Sequence, residues 1–488
     1  MLLKNLINNL PEDKKKFVIK GLSVNSKDIK KGYIFFAIKG NKSNGENYIK
    51  EAIKKGAIVI VCSTNCKFKS NKIIIIKKRQ IRRYLSEVTS KFYKLKPKNI
   101  IAVTGTNGKT SVADFFYQIL NTNNIPVASI GTLGIKYNKK FIKTNLTSPD
   151  TITLHKNLEM LKKNKIDNVI IETSSHGLHQ GRLDYLNFKV GIFTNFSQDH
   201  LDYHKTMKAY LNAKLILFLK LLPKKSYVIS DKTIKEYSIL NNIAKKRKFK
   251  LLDIAKKIDQ IKHFSKSLPG IFQKKNLSMA ILAAQICGLS NKKINSTLKK
   301  IKSIDGRLEL IKTYSNNVKV FIDYAHTPNA LFEVIKSIRD SYSQNISLVF
   351  GCGGERDVKK RPLMAKIVRN FCKKIYVTDD NPRNENPKKI RAAIIRNLKK
   401  GSFLEISDRL KAIQTAIKNS QPNEIILIAG KGHETFQDYG NKIINISDKN
   451  IINKTILKKK LFNKSMFDNQ WNSEIINQVI NKKSKINF

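Results

Sequence analysis

Short runs of aliphatic, β-branched and aromatic residues alternate with longer stretches of mixed polarity over most of this chain. Each short apolar run predicts a buried strand, and each longer stretch with apolar residues at helical spacing predicts a helix. Regular alternation of the two is typical of mostly parallel sheets covered by helices. Strands are predicted at residues 33–38, 57–62, 73–76, 100–103, 168–171, 190–193, 226–230, 318–322, 346–350, 374–377 and 424–429. Helices are predicted at residues 48–55, 81–93, 110–120 and 276–287.

This pattern divides the chain into three α/β domains. A length of 488 residues fits three domains at the usual size of about 100–200 residues each. Pro97 and the polar residues after it mark a linker, and a third series of strands begins near Gly306. We expect domains at residues 1–98, 99–305 and 306–457. Residues 458–488 lose the alternation and predict a basic helical extension.

The composition adds a large excess of positive charge. Hydrophobic residues at 41% and charged residues at 27% are ordinary for a globular protein, but 94 Lys and Arg against 36 Asp and Glu give a net charge of +58. Such an excess is usual in nucleic-acid-binding proteins. Here 80 of the basic residues are Lys, and they are spread along the chain. We therefore favour the codon bias of an A/T-rich genome over nucleic-acid binding, and expect the basic runs at 245–248 and 458–460 to be solvated.

The sequence also predicts where the protein is found. It contains no run of about 18 apolar residues, and its N-terminus lacks the apolar segment of a secretory signal. Five scattered cysteines are too few for a disulfide framework and indicate free thiols. We expect a cytoplasmic monomer without a membrane-spanning helix.

The most specific motif follows the predicted strand 100–103 and precedes a predicted helix. Its glycines allow backbone N–H groups to surround a phosphate, its lysine supplies positive charge, and its last hydroxyl can bind Mg²⁺. A strict Walker A pattern would place glycine at position 103, where Val stands. A simple glycine turn is the alternative, but this context favours ATP binding. The motif reads Thr104-Gly105-Thr106-Asn107-Gly108-Lys109-Thr110.

Candidate metal ligands follow two further strands. Glu172 comes directly after one apolar run, and Asp199 and His200 lie a short loop after another. Carboxylates at strand ends suit Mg²⁺, which prefers oxygen ligands. The neighbouring His176, His179 and His204 make a histidine cluster, and taken alone such a cluster is more often structural or a zinc site than a magnesium site.

Taken in order, these segments resemble the Mur ligases of peptidoglycan synthesis, from about residue 20 to residue 457. The resemblance implies a UDP-sugar-binding N-terminal domain, a central P-loop ATPase domain and a Rossmann-like C-terminal domain that binds an amino acid. It is strongest to the ligases that add the third residue of the stem peptide. Besides the glycine-rich motif, the matching segments are 172–178, 199–204, 323–328 and 380–383.

The family reaction is ATP-dependent amide formation through an acyl phosphate. The resemblance implies catalytic roles for Lys109, His200 and Lys214, the last as a carbamate. It implies Mg²⁺ ligation by Thr110, Glu172, His200 and carbamylated Lys214. The remaining implied nucleotide contacts are Gly105, Thr106, Asn107, Gly108, Asn276, Arg307 and Asp323. Arg307 as a surface ion pair and Asp323 as a strand-end cap are the alternatives, and Gln273 replaces a more usual Asn.

Two further groups of residues are implied to bind the other substrates. Contacts to UDP-N-acetylmuramoyl-L-alanyl-D-glutamate are implied for Ser26, Thr147, Ser148, Ser174 and Arg182, although Lys27 replaces a more usual Arg. The 380–383 segment resembles the signature of ligases specific for meso-2,6-diaminopimelate, whose distal carboxylate suits a bidentate guanidinium. Its implied contacts are Arg356, Asp380, Asn381, Pro382, Arg383, Gly430 and Glu434.

Three other functions stay open from the sequence. An L-lysine-adding ligase of the same family would leave Arg383 without its carboxylate partner. A folylpolyglutamate synthetase-like enzyme would share the glycine-rich motif but not the 380–383 segment. A nucleic-acid-stimulated ATPase is supported by the net charge alone.

Overall fold

The computed structural model describes residues 1–8, 10–40, 43–144, 146–261 and 268–457. They form three α/β units, each built around its own sheet, and two of the sheets are parallel except at one edge. The expected α/β class, with three domains and mostly parallel sheets, is confirmed. The predicted extension at 458–488 and its Lys458–460 run lie outside the described residues.

The first unit contains a four-stranded parallel sheet with strand order β1-β2-β3-β4. Both of its faces carry apolar side chains, which form two separate core clusters. The strands are β1 Gly21–Ser23, β2 Tyr33–Phe36, β3 Ala57–Cys62 and β4 Ile74–Lys77. The helices are α1 Glu12–Lys15, α2 Ile49–Lys54 and α3 Ile81–Phe92.

The second unit has an eight-stranded sheet whose five central pairings are parallel. Its strands are β5 Asn99–Thr104, β6 Val127–Gly131, β7 Gly134–Tyr137, β8 Lys140–Ile142, β9 Asn168–Glu172, β10 Val190–Phe193, β11 Tyr227–Ser230 and β12 Lys250–Asp253. Their order is β12-β11-β10-β5-β9-β6-β7-β8, and β6, β7 and β8 pair antiparallel at one edge. The helices are α4 Lys109–Thr122, α5 Thr151–Lys163, α6 Ser175–His179, α7 Leu201–His204, α8 Met207–Ile216, α9 Tyr237–Arg247, α10 Ala255–Gln260, α11 Ile271–Ile286 and α12 Asn291–Leu298.

The third unit has a six-stranded sheet with order β13-β14-β18-β15-β16-β17, antiparallel only at β13, and a separate hairpin. The strands are β13 Glu309–Thr313, β14 Lys319–Asp323, β15 Ile346–Phe350, β16 Lys374–Val377, β17 Phe403–Glu405 and β18 Ile425–Ala429. The hairpin is β19 Phe436–Asp438 and β20 Ile443–Asn445. The helices are α13 Pro328–Ser341, α14 Lys360–Phe371, α15 Pro387–Ile395, α16 Arg409–Lys418 and α17 Asp448–Lys454.

The predicted elements are present, with shifted ends. Strand β2 ends at Phe36, two residues before the predicted end, and α11 begins at Ile271, five residues before its predicted start. The antiparallel strands β6 to β8 were not predicted, because they are short and Gly131 and Gly134 interrupt the apolar pattern. The basic run at 245–248 is mostly exposed, as expected.

Two exclusions made from composition can be compared with the structure. No helix among the described residues is long and apolar enough to cross a membrane. All five cysteines, which lie within the described residues, are free thiols.

A buried histidine lies where the first two units meet. His155 is on α5, which packs against α3, and it is fully buried, with burial as the main reason that its pKa is lowered to about 3. The unfolded chain therefore binds a proton near pH 6.5 that the folded chain does not bind until about pH 3. Stability must fall as the pH falls below 6.5.

We expect this histidine to destabilise the protein by about 2 kcal/mol between pH 7 and pH 5. Urea unfolding at the two pH values should show a loss in His155→Leu that is about 2 kcal/mol smaller than the loss in the wild type, to which other histidines of lowered pKa such as His200 also contribute. His179→Gln, at an exposed histidine, is the control and should behave as the wild type. An unchanged pH response in His155→Leu would contradict the assignment.

Candidate active site

The loop between β5 and α4 places its glycines where other residues would not fit. Gly105 has φ +143° and Gly108 has φ +86°, both in the region that favours glycine. A Cβ at position 105 would overlap the Thr194 hydroxyl, and one at position 108 would lie 2.5 Å from the Asn276 Oδ1 atom. The loop is thus enclosed by neighbouring side chains, and α4 begins directly after it with Lys109.

Two buried lysines point at the same carbonyl of this loop. Lys109 Nζ donates to the Gly105 oxygen and to the Thr106 oxygen, each at 2.9 Å. Lys214 Nζ donates to the Gly105 oxygen at 2.7 Å. Burial lowers the pKa of Lys109; burial and the charge of Lys109 hold the pKa of Lys214 well below its usual value. A neutral Lys214 amine is the form that can react with carbon dioxide, which is consistent with the expected carbamate.

Thr110, Glu172 and His200 are three of the four expected metal ligands, and their hydrogen bonds and burial show whether they could bind a cation. Thr110 Oγ1 donates to Glu172 Oε2 at 2.9 Å, and Glu172 is 2% exposed. His200 Nδ1 is buried without a hydrogen-bond partner among the described residues. Burial lowers the pKa of His200 to about 2, which keeps its imidazole neutral. A carboxylate, a hydroxyl and a neutral imidazole whose Nδ1 is unpaired fit a divalent cation, although no group of three or more His, Cys, Asp or Glu placed to hold a metal ion is found among the described residues.

Two of the other expected nucleotide residues, Arg307 and Asp323, lie at the start of the third unit. Arg307 Nη2 donates to Thr110 Oγ1 at 3.3 Å, so Arg307 is not simply a surface ion pair. Asp323 accepts the Leu308 and Ala325 amides, each at 2.6 Å, and therefore caps the end of β14. Its expected ribose contact stays a prediction. The replacement at position 273 leaves Gln273 Oε1 buried and unpaired.

The linker before the third unit also lies close to the loop after β18. Gly306 has φ +65°, and a Cβ there would collide with the backbone of Gly432 and His433. Gly432 in turn faces the Gly306 carbonyl. The start of the third unit and this loop are therefore packed backbone against backbone.

The expected UDP-sugar residues of the second unit are close together. Ser148 Oγ lies 3.0 Å from Ser174 Oγ, and Arg182 Nη1 donates to the Ser148 carbonyl at 2.9 Å. Thr147 Oγ1 lies 3.1 Å from Thr132 Oγ1, which itself donates to Glu172. These serine and threonine hydroxyls therefore lie next to Glu172, one of the expected metal ligands.

Ser26 belongs to a different unit and has a structural contact of its own. It lies in the turn after β1, is 5% exposed and donates to Glu51 Oε2 at 2.9 Å. Asn25 caps the same turn by accepting the Lys27 amide. The expected uridine-side contact of Ser26 stays a prediction.

The expected amino-acid residues meet at the carboxyl ends of β16 and β18. Asn381 Nδ2 donates to Glu434 Oε2 at 2.9 Å, and Arg383 Nη1 donates to the Gly354 carbonyl at 2.8 Å. Arg383 has φ +53°, a left-handed conformation that follows Pro382. Gly430 has φ +111°, and a Cβ there would lie 2.5 Å from Asp380 Oδ2. These neighbouring loops therefore form one polar pocket.

Arg356 lies on the side of this pocket that faces the second unit. Its side chain is exposed. It contributes, after burial, to lowering the pKa of His176 to about 4. The two expected arginines are thus carried by different loops, 353–356 and 381–385.

Sequence reasoning missed several residues of the site. Lys431 is fully buried and donates to Glu434 Oε2 at 2.8 Å and to Asn381 Oδ1 at 3.1 Å. The sequence could have indicated this residue, because Lys431 stands between Gly430 and Gly432 in the loop after an apolar strand. Lys360 of the third unit was missed as well: its Nζ lies 3.6 Å from the carboxylate of Asp199, the same distance as His326 Nε2. Nothing in the sequence pairs positions so far apart.

A glycine-rich loop at the start of a helix in one unit, in contact with strand-end loops of another, is the arrangement expected of an ATP-dependent ligase. Sequence models of three Mur ligase families match the chain. They are the Mur ligase family catalytic domain at residues 18–93, the Mur ligase middle domain at 103–284 and the Mur ligase glutamate ligase domain at 306–432. The chain belongs to the Mur ligase family.

Curated relatives resemble it over nearly their whole length. A UDP-N-acetylmuramoyl-L-alanyl-D-glutamate–2,6-diaminopimelate ligase of Rickettsia montanensis is 36% identical, covering 91% of this chain and 97% of its own. The enzymes of the same name from Rickettsia bellii and Brucella melitensis are 38% and 35% identical, covering 89% and 91% of this chain and 95% of their own.

Solved structures give the same result for the fold. The structure of a ligase with the same name has a TM-score of 0.64 at 26% identity, covering 93% of this chain and 98% of its own. MurF from Acinetobacter baumannii has a TM-score of 0.60 at 15% identity, covering 87% and 91%. Folylpolyglutamate synthase from Mycobacterium tuberculosis, solved with ADP and AMPPCP, has 0.57 at 16%, covering 71% and 91%. The last two show the fold alone.

The enclosed glycine loop generates a direct test. Gly105→Ala should weaken ATP binding on the order of 10- to 100-fold, because the added Cβ overlaps Thr194 and forces the loop open. Titration with a fluorescent ATP analogue measures this. Gly401→Ala, where a Cβ meets nothing within 4 Å, is the control for a glycine at positive φ. ATP affinity in Gly105→Ala equal to that in the control would contradict the loop assignment.

Proposed function

We propose that this protein joins meso-2,6-diaminopimelate to UDP-N-acetylmuramoyl-L-alanyl-D-glutamate, with hydrolysis of ATP to ADP and phosphate. The observation that carries the proposal is the polar pocket of Asn381, Arg383 and Glu434 beside the nucleotide loop, in a chain whose relatives carry that enzyme name. The monomeric state and the cytoplasmic location stay predictions.

The first step is phosphorylation of the UDP-sugar substrate. A carboxylate oxygen attacks the γ-phosphorus of ATP, the bond to the bridging oxygen breaks, and ADP leaves. Lys109 is the cation placed to balance the phosphate charge once its ammonium turns from the loop carbonyls to the γ-phosphate. Thr110, Glu172, His200 and carbamylated Lys214 would hold Mg²⁺, which polarises the transferred phosphoryl group.

The second step forms the amide. The neutral amine of the amino acid attacks the acyl carbon, the resulting tetrahedral species expels phosphate, and the amine loses a proton. The pocket residues orient this amine: Glu434 is suited to an ammonium group, and Arg383 to a carboxylate. Asn381 and Lys431 hold the Glu434 carboxylate in place.

The amino acid is selected by its distal end. Lysine has no carboxylate there, so its binding would leave Arg383, whose Nε lies 4.0 Å from Asp438 Oδ2, without the bidentate carboxylate that the distal end of diaminopimelate would supply. Sites built around such a contact can discriminate by about 10⁴-fold. Phosphate release from ATP with the UDP-sugar dipeptide, comparing meso-2,6-diaminopimelate with L-lysine, tests the proposal. Equal rates with both amino acids would contradict it, and steeply salt-dependent nucleic-acid binding without ligase activity would favour the ATPase alternative.

Lys214→Ala should abolish turnover, because it removes the side chain that would become an anionic ligand. Small carboxylates such as acetate or formate should partly restore the rate by occupying the same place. Phosphate release with and without added carboxylate measures both effects. Lys220→Ala, at an exposed lysine after α8, should keep the wild-type rate. Full activity in Lys214→Ala would exclude the carbamate.

Arg383→Ala should raise the KM for diaminopimelate at least 10-fold more than the KM for ATP, because a charge-assisted bidentate contact is lost only with the amino acid. Initial rates at varied concentrations of each substrate measure the difference. Arg369→Ala, in α14, is the matched control. Equal changes in both KM values would contradict the assignment of the distal carboxylate to Arg383.

A further inference from the structure

We propose that the ion pair between Arg361 and Glu385 is the positioning device of the amino-acid pocket, which fixes the spacing between the two loops that carry Arg356 and Arg383. The proposal rests on the function proposed above. Neither Arg361 nor Glu385 belongs to the residues that the pocket presents to a substrate. Their role is to act through the loops that do.

The pair is bidentate and mostly removed from solvent. Arg361 Nη1 lies 2.6 Å from Glu385 Oε1, and Arg361 Nη2 lies 2.7 Å from Glu385 Oε2. The Arg361 side chain is 3% exposed and the Glu385 side chain 27%. Parallel N–H···O bonds of this kind fix the relative orientation of the two groups as well as their distance. The pair thus connects the first turn of α14 to the loop after β16.

The same two side chains also hold the first loop. Arg361 Nη2 donates to the Gly353 carbonyl at 3.3 Å, and Glu385 Oε2 accepts the Glu355 amide at 3.2 Å. Two neighbouring residues of the loop 353–356 are therefore bound by the two members of one ion pair.

Direct contacts between the loops are tight enough for their spacing to matter. The Gly354 amide donates to the Asn381 carbonyl at 3.0 Å, and Arg383 Nη1 donates to the Gly354 carbonyl at 2.8 Å. A Cβ at Gly354 would overlap the Pro382 carbonyl. If the loops separate, the Arg383 guanidinium loses the acceptor that sets its direction. A displacement of about 1 Å in a positioned group can cost on the order of 100-fold in rate.

A second ion pair of the same domain provides the comparison. Arg391 Nε lies 2.7 Å from Glu405 Oε1, which joins α15 to β17 and touches neither loop. Glu405 is 41% exposed, and Arg391 keeps Asp379 as a partner when Glu405 is neutralised. If the Arg361–Glu385 pair only stabilised the fold, neutralising either pair could lower the melting temperature but would not raise the KM of one substrate selectively.

The test is Glu385→Gln in the full-length protein, with Glu405→Gln as the matched control. We expect Glu385→Gln to raise the KM for meso-2,6-diaminopimelate on the order of 10-fold or more, to lower its preference over L-lysine, and to leave the KM for ATP and for the UDP-sugar dipeptide within about twofold. Glu405→Gln should leave all three KM values unchanged.

Arg361→Lys is the second variant, because it keeps the charge but cannot make the bidentate contact. This variant should show the same selective rise in the diaminopimelate KM, but a smaller one. It keeps the proposal testable if Glu385→Gln does not fold. A melting temperature that falls while all KM values change equally, or not at all, would overturn the proposal. A wild-type protein that does not use diaminopimelate would instead overturn the proposed function.

Discussion

The structure of the site depends on one backbone carbonyl that accepts hydrogen bonds from the side chains of two lysines. Lys109 and Lys214 both point at the oxygen of Gly105, and each has a pKa lowered by burial. Two cations so close in a poorly solvated place are costly unless an anion joins them or one of them gives up its proton. The phosphate of ATP would satisfy the first condition, and carbamylation of Lys214 the second. The arrangement is therefore built for charges that arrive with the substrates.

The third unit is held against this centre by a few polar contacts. Asp199 lies between His326 and Lys360, and Asn107 of the glycine loop donates to Asn329 at 3.2 Å. Gln198 donates to Asp357 at 2.9 Å. These contacts are made by loops at the carboxyl ends of strands and, for Asn329 and Lys360, by the first turn of the helix that follows such a loop. This edge of the third sheet is therefore placed against the glycine loop of the second unit.

Much of this fold could be predicted from sequence, because buried parallel strands give uninterrupted apolar runs such as 425–429. The glycine loop could be predicted as well, since its motif and its flanking elements are adjacent in the chain. The edge strands β6 to β8 could not, because short antiparallel strands at an edge leave little apolar pattern. The burial of Lys214 could not either: among 80 lysines, nothing local marks the one that the fold encloses. Contacts such as Asp199 with Lys360 join residues too distant in sequence to be paired.

The close packing of Gly306 on Gly432 couples two properties of the enzyme that are usually discussed separately. Any rotation of the third unit about its linker must carry the 430–434 segment along, since neither backbone has room to slide past the other. That segment carries Lys431 and Glu434, which are hydrogen-bonded to each other. The orientation of the linker and the position of the Glu434 carboxylate, which we propose to bind the amino acid, would therefore change together.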